Sequence, residues 1–178
     1  MNIYFNNYQI DQKLKYLVYF TGNFSPPHKG HVYMIEKFID YKNVSFLISM
    51  VEDTKRHNID LDVTMKIWEI YQKEIFKEKK MVFIKEKDCE NYLKNIKKID
   101  YILYIRGNEN INKQYITSIK NKYKNLEKHL RGRGILFDYL FIDRIPNISS
   151  SLFCKNPDIS FLPDIPSKHN ILFILKNK

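Results

Sequence analysis

A chain of 178 residues with 44% apolar and 28% charged side chains has the length and balance of one soluble domain, able to bury about two-thirds of its unfolded surface. It contains no run near the ~20 apolar residues of a membrane span and no signal-peptide core, and Cys89 and Cys154 stand apart without metal spacing, so a cytoplasmic protein with reduced thiols and no membrane partner is expected. The net charge of +10 invites a nucleic-acid reading, but the lysines are spread along the chain and accompany an excess of Asn, Ile and Tyr, the set an AT-rich coding bias inflates; attraction for nucleotide phosphates explains the charge as well, and no nucleic-acid partner is expected.

Residues 1–15 are polar with scattered Ile, Tyr and Phe and read as an N-terminal extension ahead of a domain spanning 16–178. Tyr16 to Phe20 is a short apolar, aromatic and β-branched run, the pattern of a buried strand. Thr21-Gly22-Asn23-Phe24-Ser25-Pro26-Pro27-His28-Lys29-Gly30-His31 follows as a strand-to-helix turn, because Val32, Ile35, Phe38 and Ile39 then recur at helical steps. The helix is expected to run to about Tyr41. Gly22 lets backbone approach a ligand closely, and Pro26 and Pro27 stiffen the turn. His28 and His31, three residues apart, share a face of the first helical turn beside free N–H groups and the positive end of the helix dipole, which suits phosphate. A Gly/Pro-rich polar turn is a poor place to bury imidazoles, so neither histidine is expected in the core.

Val44 to Val51 reads as a second strand, and the polar loop Glu52 to Asn58 leaves its carboxyl end. That loop is either a solvated connection or a place from which Lys55 or Arg56 reaches a phosphate in the crevice of an open sheet. A helix over Asp62 to Phe76 is expected, with Asp62 as N-cap and Trp68 packing in the core. Met81 to Ile84 reads as a third strand, and Asp88 as the cap of a helix carrying Tyr92, Leu93 and Ile96. His57 and His129 read as surface or packing residues.

Asp100 to Ile105 reads as a fourth strand that delivers Arg106-Gly107-Asn108-Glu109 to the crevice or to solvent. A long helix through Ile116 and Leu130 should stop at Arg131-Gly132-Arg133-Gly134, where the glycines are natural terminators. The two arginines there read as a solvated loop or as a contact to a triphosphate. Ile135 to Ile142 reads as a fifth strand, which leads into Ile148-Ser149-Ser150-Ser151. Serine hydroxyls and N–H groups at a helix start donate together to phosphate, although such clusters also mark plain turns. The whole order predicts a single-domain, Rossmann-like, doubly wound α/β fold with a parallel sheet of about five strands.

The turn around His28, Gly30 and His31 and the later Ile148-Ser149-Ser150-Ser151 together resemble the two signatures of the HxGH nucleotidyltransferases, in the same order. Ser25 stands where most of that family has Asp, and Phe153, Cys154 and Lys155 where many relatives carry an Arg. The layout is most similar to the pantetheine-phosphate adenylyltransferases, on the position of Lys55, the Arg106-Gly107 pair and a closing Phe161-Leu162-Pro163. The Pro-Pro-His-Lys-Gly-His form of the turn speaks instead for the nicotinamide-nucleotide enzymes. The resemblance implies transfer of AMP from ATP to the phosphate of a small cofactor precursor, with release of pyrophosphate and no protein nucleophile. Its first acceptor is 4'-phosphopantetheine, its second nicotinamide mononucleotide; cytidylyl transfer and a degenerate nucleotide-binding module are the other readings. It further implies His28 and His31 on the ATP phosphates and Lys55 and Arg106 on the acceptor phosphate. Gly22, Asn23, Phe24, Gly30, Gly107, Asn108 and Glu109 would line the nucleotide and acceptor sites, and Ser149, Ser150 and Ser151 would hold the β and γ phosphates. Mg²⁺ is expected to come with ATP rather than on protein ligands, and homo-oligomers are frequent among such proteins.

Overall fold

The computed structural model describes residues 2–51, 59–108, 111–143, 145–146 and 148–177. Its centre is one parallel sheet of strands β1 (Ile3–Phe5), β2 (Tyr16–Gly22), β3 (Val44–Met50), β4 (Met81–Lys85), β5 (Tyr101–Gly107) and β6 (Leu136–Ile142). The spatial order is β1-β6-β5-β2-β3-β4. Chain direction across the sheet therefore reverses between β2 and β5, which is the switch point where open α/β sheets form their crevice. The sheet has six strands rather than about five. The added one comes from within 1–15, where Ile3, Tyr4 and Phe5 pair with Tyr139, Leu140 and Phe141 of β6.

Alternation along the strands sorts the core. On β2, Val18 and Phe20 join one apolar cluster with Trp68 and Ile171, whereas Leu17 and Tyr19 join the other with Tyr104, Tyr123 and Tyr139. Both faces are thus covered, which is why the strands read as nearly continuous apolar runs. Helices α1 (Lys29–Glu36) and α2 (Leu61–Glu74) send buried residues to the first cluster; α3 (Glu86–Asn95) and α4 (Lys113–Gly132) serve the second. A short α5 (Ser150–Lys155), a 3-10 turn (Ile159–Phe161) and α6 (Lys168–Lys176) complete the first side. No described helix is long and apolar enough to cross a membrane.

Several local expectations shift. Helix α1 ends at Glu36 rather than near Tyr41. Asp60, not Asp62, is the N-cap of α2, and Lys85, not Asp88, that of α3; Asp62 and Asp88 sit within the first turn, where they still favour the helix dipole. Helix α4 stops where expected, and Gly134 takes a left-handed φ of 76° just beyond it.

The edge strand is fastened by a buried carboxylate. Asp138 on β6 is only 3% exposed and accepts from the backbone N–H of Asn2 at 2.5 Å, from the Asn2 side-chain amide at 3.2 Å and from the Tyr101 hydroxyl. Three donors offset the cost of taking that charge out of water.

Candidate active site

The turn after β2 folds inward instead of standing in solvent. Pro26 carbonyl oxygen accepts from the Ser150 hydroxyl at 3.2 Å, and Pro27 carbonyl oxygen accepts from the Tyr71 hydroxyl at 3.1 Å. The turn is thereby pinned to α5 and α2, with Phe24 driven underneath, 1% exposed and edge-on to Trp68 at 5.3 Å. Both imidazoles are consequently buried, His28 at 0% and His31 at 6% exposure, contrary to the sequence expectation for a polar turn. The reason is that the proline carbonyls find side-chain donors, so the polar turn is no longer bound to water.

The two rings stack with centroids 3.8 Å apart. His28 caps α1: its Nδ1 accepts from the Gly30 N–H at 3.1 Å, while the His31 Nδ1 accepts from the His28 N–H at 3.2 Å. With Nδ1 occupied as an acceptor, a neutral ring carries its hydrogen on Nε2, so each imidazole is set to donate from that atom. A Cβ at position 30 would stand 3.0 Å from His28 Cε1 and 3.1 Å from its Nδ1, which leaves little room for any side chain but that of glycine.

A cleft of about 190 Å³ opens at the carboxyl ends of β2 and β5. It is lined by Phe20, Thr21, Gly22, Asn23, Phe24, His31, Arg106, Ser149, Ser150 and Ser151. Residues from the two signatures and from the Arg-Gly pair, far apart in sequence, thus meet at the switch point. His28 and Gly30 lie in the first turn of α1 and do not line the cleft; His28 is the ring against which His31 stacks. Gly107 is buried and paired with Ile142 of β6. Asn108 donates to the Asp143 carboxylate and turns towards β6. Lys55, Arg56, His57 and Glu109 lie outside the described residues.

The serine turn is partly occupied by its own architecture. Ser149 caps α5, accepting from the Leu152 N–H at 3.2 Å, and Ser150 holds Pro26. Phe153 is buried and stacks on Phe161, while Lys155 is exposed at the end of α5. Arg131 and Arg133 lie elsewhere: Arg131 pairs with Glu127 at 3.1 Å, and Arg133 donates to the carbonyl oxygens of Lys94 and Ile96. Arg133 thereby ties the end of α4 to the end of α3, while the Arg131 pair lies within α4. His129 is exposed, with Nε2 3.2 Å from the Lys94 carbonyl oxygen.

Three features of the cleft have no counterpart in the sequence reading. Thr21 is 5% exposed and its hydroxyl is buried with no hydrogen-bond partner, as are both polar atoms of the Asn23 side chain. Arg106 Nη1 donates to the Tyr104 hydroxyl at 3.4 Å, and the Tyr115 ring lies 5.3 Å from its guanidinium. Burial opposes the Arg106 charge, yet the surrounding tyrosines Tyr104, Tyr115 and Tyr123 outweigh it and raise its pKa above the usual arginine value. The period of two along β5 places residues 104 and 106 on one face, which is the signal that links Tyr104 to Arg106. Among the described residues, no side chain lining the cleft is a carboxylate and no group of three or more His, Cys, Asp or Glu is arranged to hold a metal.

No known family profile and no curated protein matches the chain. Among solved structures it is similar to a Vibrio parahaemolyticus protein assigned as a nicotinate-nucleotide adenylyltransferase, with a TM-score of 0.57 and 16% identity over 90% of this chain and 99% of that one. It also aligns with the Plasmodium falciparum nicotinic acid mononucleotide adenylyltransferase complexed with APC, at a TM-score of 0.48 and 12% identity over 91% and 96% of the two chains. The same enzyme complexed with NaAD gives 0.47 and 12% over 90% and 95%. The chain therefore has an α/β fold of the doubly wound, Rossmann-like class. Within that class it shares the fold of the Vibrio protein over nearly the whole of both chains.

Proposed function

We propose that the protein is an adenylyltransferase that joins AMP from ATP to the phosphate of a pyridine mononucleotide, nicotinate or nicotinamide mononucleotide, and releases pyrophosphate. The observation that carries this reading is the convergence of His31, Arg106 and Ser149 to Ser151 on one cleft at the switch point. An acceptor phosphate oxygen forms a bond to the α-phosphorus as the bond from that phosphorus to the bridging β-oxygen breaks. No protein group is consumed, so the chain's task is to align the phosphates and stabilise charge on their oxygens. His31 donates from Nε2, its ring held by the stack on His28. Arg106 supplies a fixed positive charge, and Ser151 with the N–H groups at the start of α5 supplies neutral donors. Mg²⁺ would enter with ATP as part of the substrate and neutralise phosphate charge.

The acceptor assigned here differs from the first expectation, 4'-phosphopantetheine. Two observations support the pyridine nucleotide: the Pro26-Pro27-His28-Lys29-Gly30-His31 form of the turn and the fold shared with a protein assigned to nicotinate-nucleotide adenylyl transfer. The test is pyrophosphate release with Mg²⁺ and ATP or CTP, against nicotinate mononucleotide, nicotinamide mononucleotide, 4'-phosphopantetheine and phosphocholine. Release from ATP with a pyridine mononucleotide is the expected outcome. Release with 4'-phosphopantetheine alone would move the acceptor to the coenzyme A route. ATP binding without release from any pair would mark a nucleotide-binding module instead of an enzyme.

A further inference from the structure

We infer that Tyr104 and Tyr115 are positioning residues that hold the Arg106 guanidinium, with which no described carboxylate pairs, as the phosphate-binding cation of the cleft; this rests on the adenylyl-transfer reading for its substrate. Arg106 stands at the carboxyl end of β5, half-buried, and no described carboxylate pairs with it. A desolvated cation without a counter-ion is costly unless a ligand supplies the charge. What surrounds it is aromatic. Tyr104, 1% exposed, brings its hydroxyl to 3.4 Å from Nη1. Tyr115, in the first turn of α4, presents its ring face 5.3 Å from the guanidinium carbon.

Each contact fixes a different freedom. The Tyr104 hydroxyl accepts from one edge of the fork, and its own ring cannot move because it packs against Tyr19, Tyr123 and Tyr139 at 5.3–5.4 Å between centroids. The Tyr115 ring attracts the guanidinium face through its quadrupole without using a hydrogen-bond donor. Tyr115 is itself anchored at the start of α4, where its N–H donates to the Asn112 side chain at 2.9 Å. Most of the guanidinium's five donors stay available, in a planar geometry that matches two phosphate oxygens. An aspartate or glutamate in the place of either tyrosine would neutralise the charge that a phosphate needs. The unpartnered Thr21 hydroxyl lines the same cleft and is a second donor within it. The ligand chemistry is therefore a phosphate group, from the acceptor or from ATP.

The experiment has two arms. Calorimetric titration with inorganic pyrophosphate reads the cation itself, independently of turnover. Arg106→Gln, Tyr104→Phe and Tyr115→Leu should each weaken binding, the tyrosine variants by about three- to tenfold, the range that such contacts to a partly desolvated cation support. Tyr115→Phe, which keeps the ring face, should recover most of what Tyr115→Leu loses. Binding unchanged in Arg106→Gln, or weakened there but unchanged in both tyrosine variants, would overturn the inference. Tyr115 sits at a partly exposed helix start, so Tyr115→Leu keeps the test open if Tyr104→Phe folds poorly. Steady-state turnover then names the phosphate: in Tyr104→Phe and Tyr115→Leu the KM of the pyridine mononucleotide should rise with kcat nearly constant. A rise confined to the KM of ATP would support the same clamp and assign it to the nucleotide. A wild-type protein that binds pyrophosphate through Arg106 but turns over no substrate pair would defeat the functional reading and leave the clamp standing.

Discussion

His31 differs from its neighbour His28 in one respect that matters for chemistry: it reaches the cleft, while His28 supplies the cap of α1 and the ring beneath. Replacing His31 by Ala should lower turnover by roughly a hundredfold or more, as removal of one charge-stabilising donor does, with KM values changed far less. Steady-state pyrophosphate release checks it, and near-normal kcat would remove His31 from the reaction. The spacing of these two histidines was legible in the sequence, and so was their place in a strand-to-helix turn. Their burial was not, because it depends on Tyr71 and Ser150, hydroxyls 44 and 124 residues away from the proline carbonyls they hold. Of the surroundings of Arg106, Tyr104 follows from the period of two along β5, but Tyr115 was hidden for the same reason. Tyr115 meets it only when α4 packs beside β5, and no local pattern announces a cation over a ring. Of the three serines the sequence offered as phosphate donors, two already have structural tasks, which a tripeptide cannot reveal.

At the scale of elements, five strands could be read directly because each is a short, largely apolar run; four of them are buried on both faces, and the edge strand β4 is half-buried. The sixth is three residues long, and only its partner makes it a strand. Ile3, Tyr4 and Phe5 favour a strand, but a run of three between asparagines is too short to be read as one. What holds them is the Asp138 carboxylate, an acid in the interior of a strand that would otherwise read as a mistake. Asp138→Ala leaves the Tyr101 hydroxyl and the Asn2 donors without an acceptor and should cost about 2–4 kcal/mol of stability. Chemical denaturation measures that loss, and pyrophosphate release at low temperature should remain at the wild-type level in the folded fraction. A stability equal to wild type would mean that the edge strand is held by its backbone ladder alone.

For the molecule as a whole, the sheet order brings the turn before His31, Arg106 and the serines Ser149 to Ser151 to one end. A second cavity, of about 350 Å³, lies among residues of β2, β3, β4 and α3 bordered by Lys80, Asn91 and Lys97, and contains none of them. The candidate cleft is the smaller of the two. At about 190 Å³ it falls below the roughly 300–1,000 Å³ of typical small-molecule sites, so a nucleotide held there must extend beyond the cleft or displace part of its lining, such as the turn around Thr21 to Phe24. The buried, unpartnered atoms of Thr21 and Asn23 mark the part of that turn where a ligand would restore lost hydrogen bonds.

The chain has a single tryptophan, and it is fully buried beneath this same turn, touching Phe24, which in turn lies edge-on to His31 at 5.0 Å. The protein thus carries its own optical reporter. Any shift of the turn must change the polarity and quenching around one indole, so the emission of Trp68, excited selectively over the thirteen tyrosines, should change in intensity or wavelength when ATP is added and saturate with its occupancy. A spectrum that stays fixed while calorimetry records ATP binding would mean that the nucleotide enters without moving Phe24.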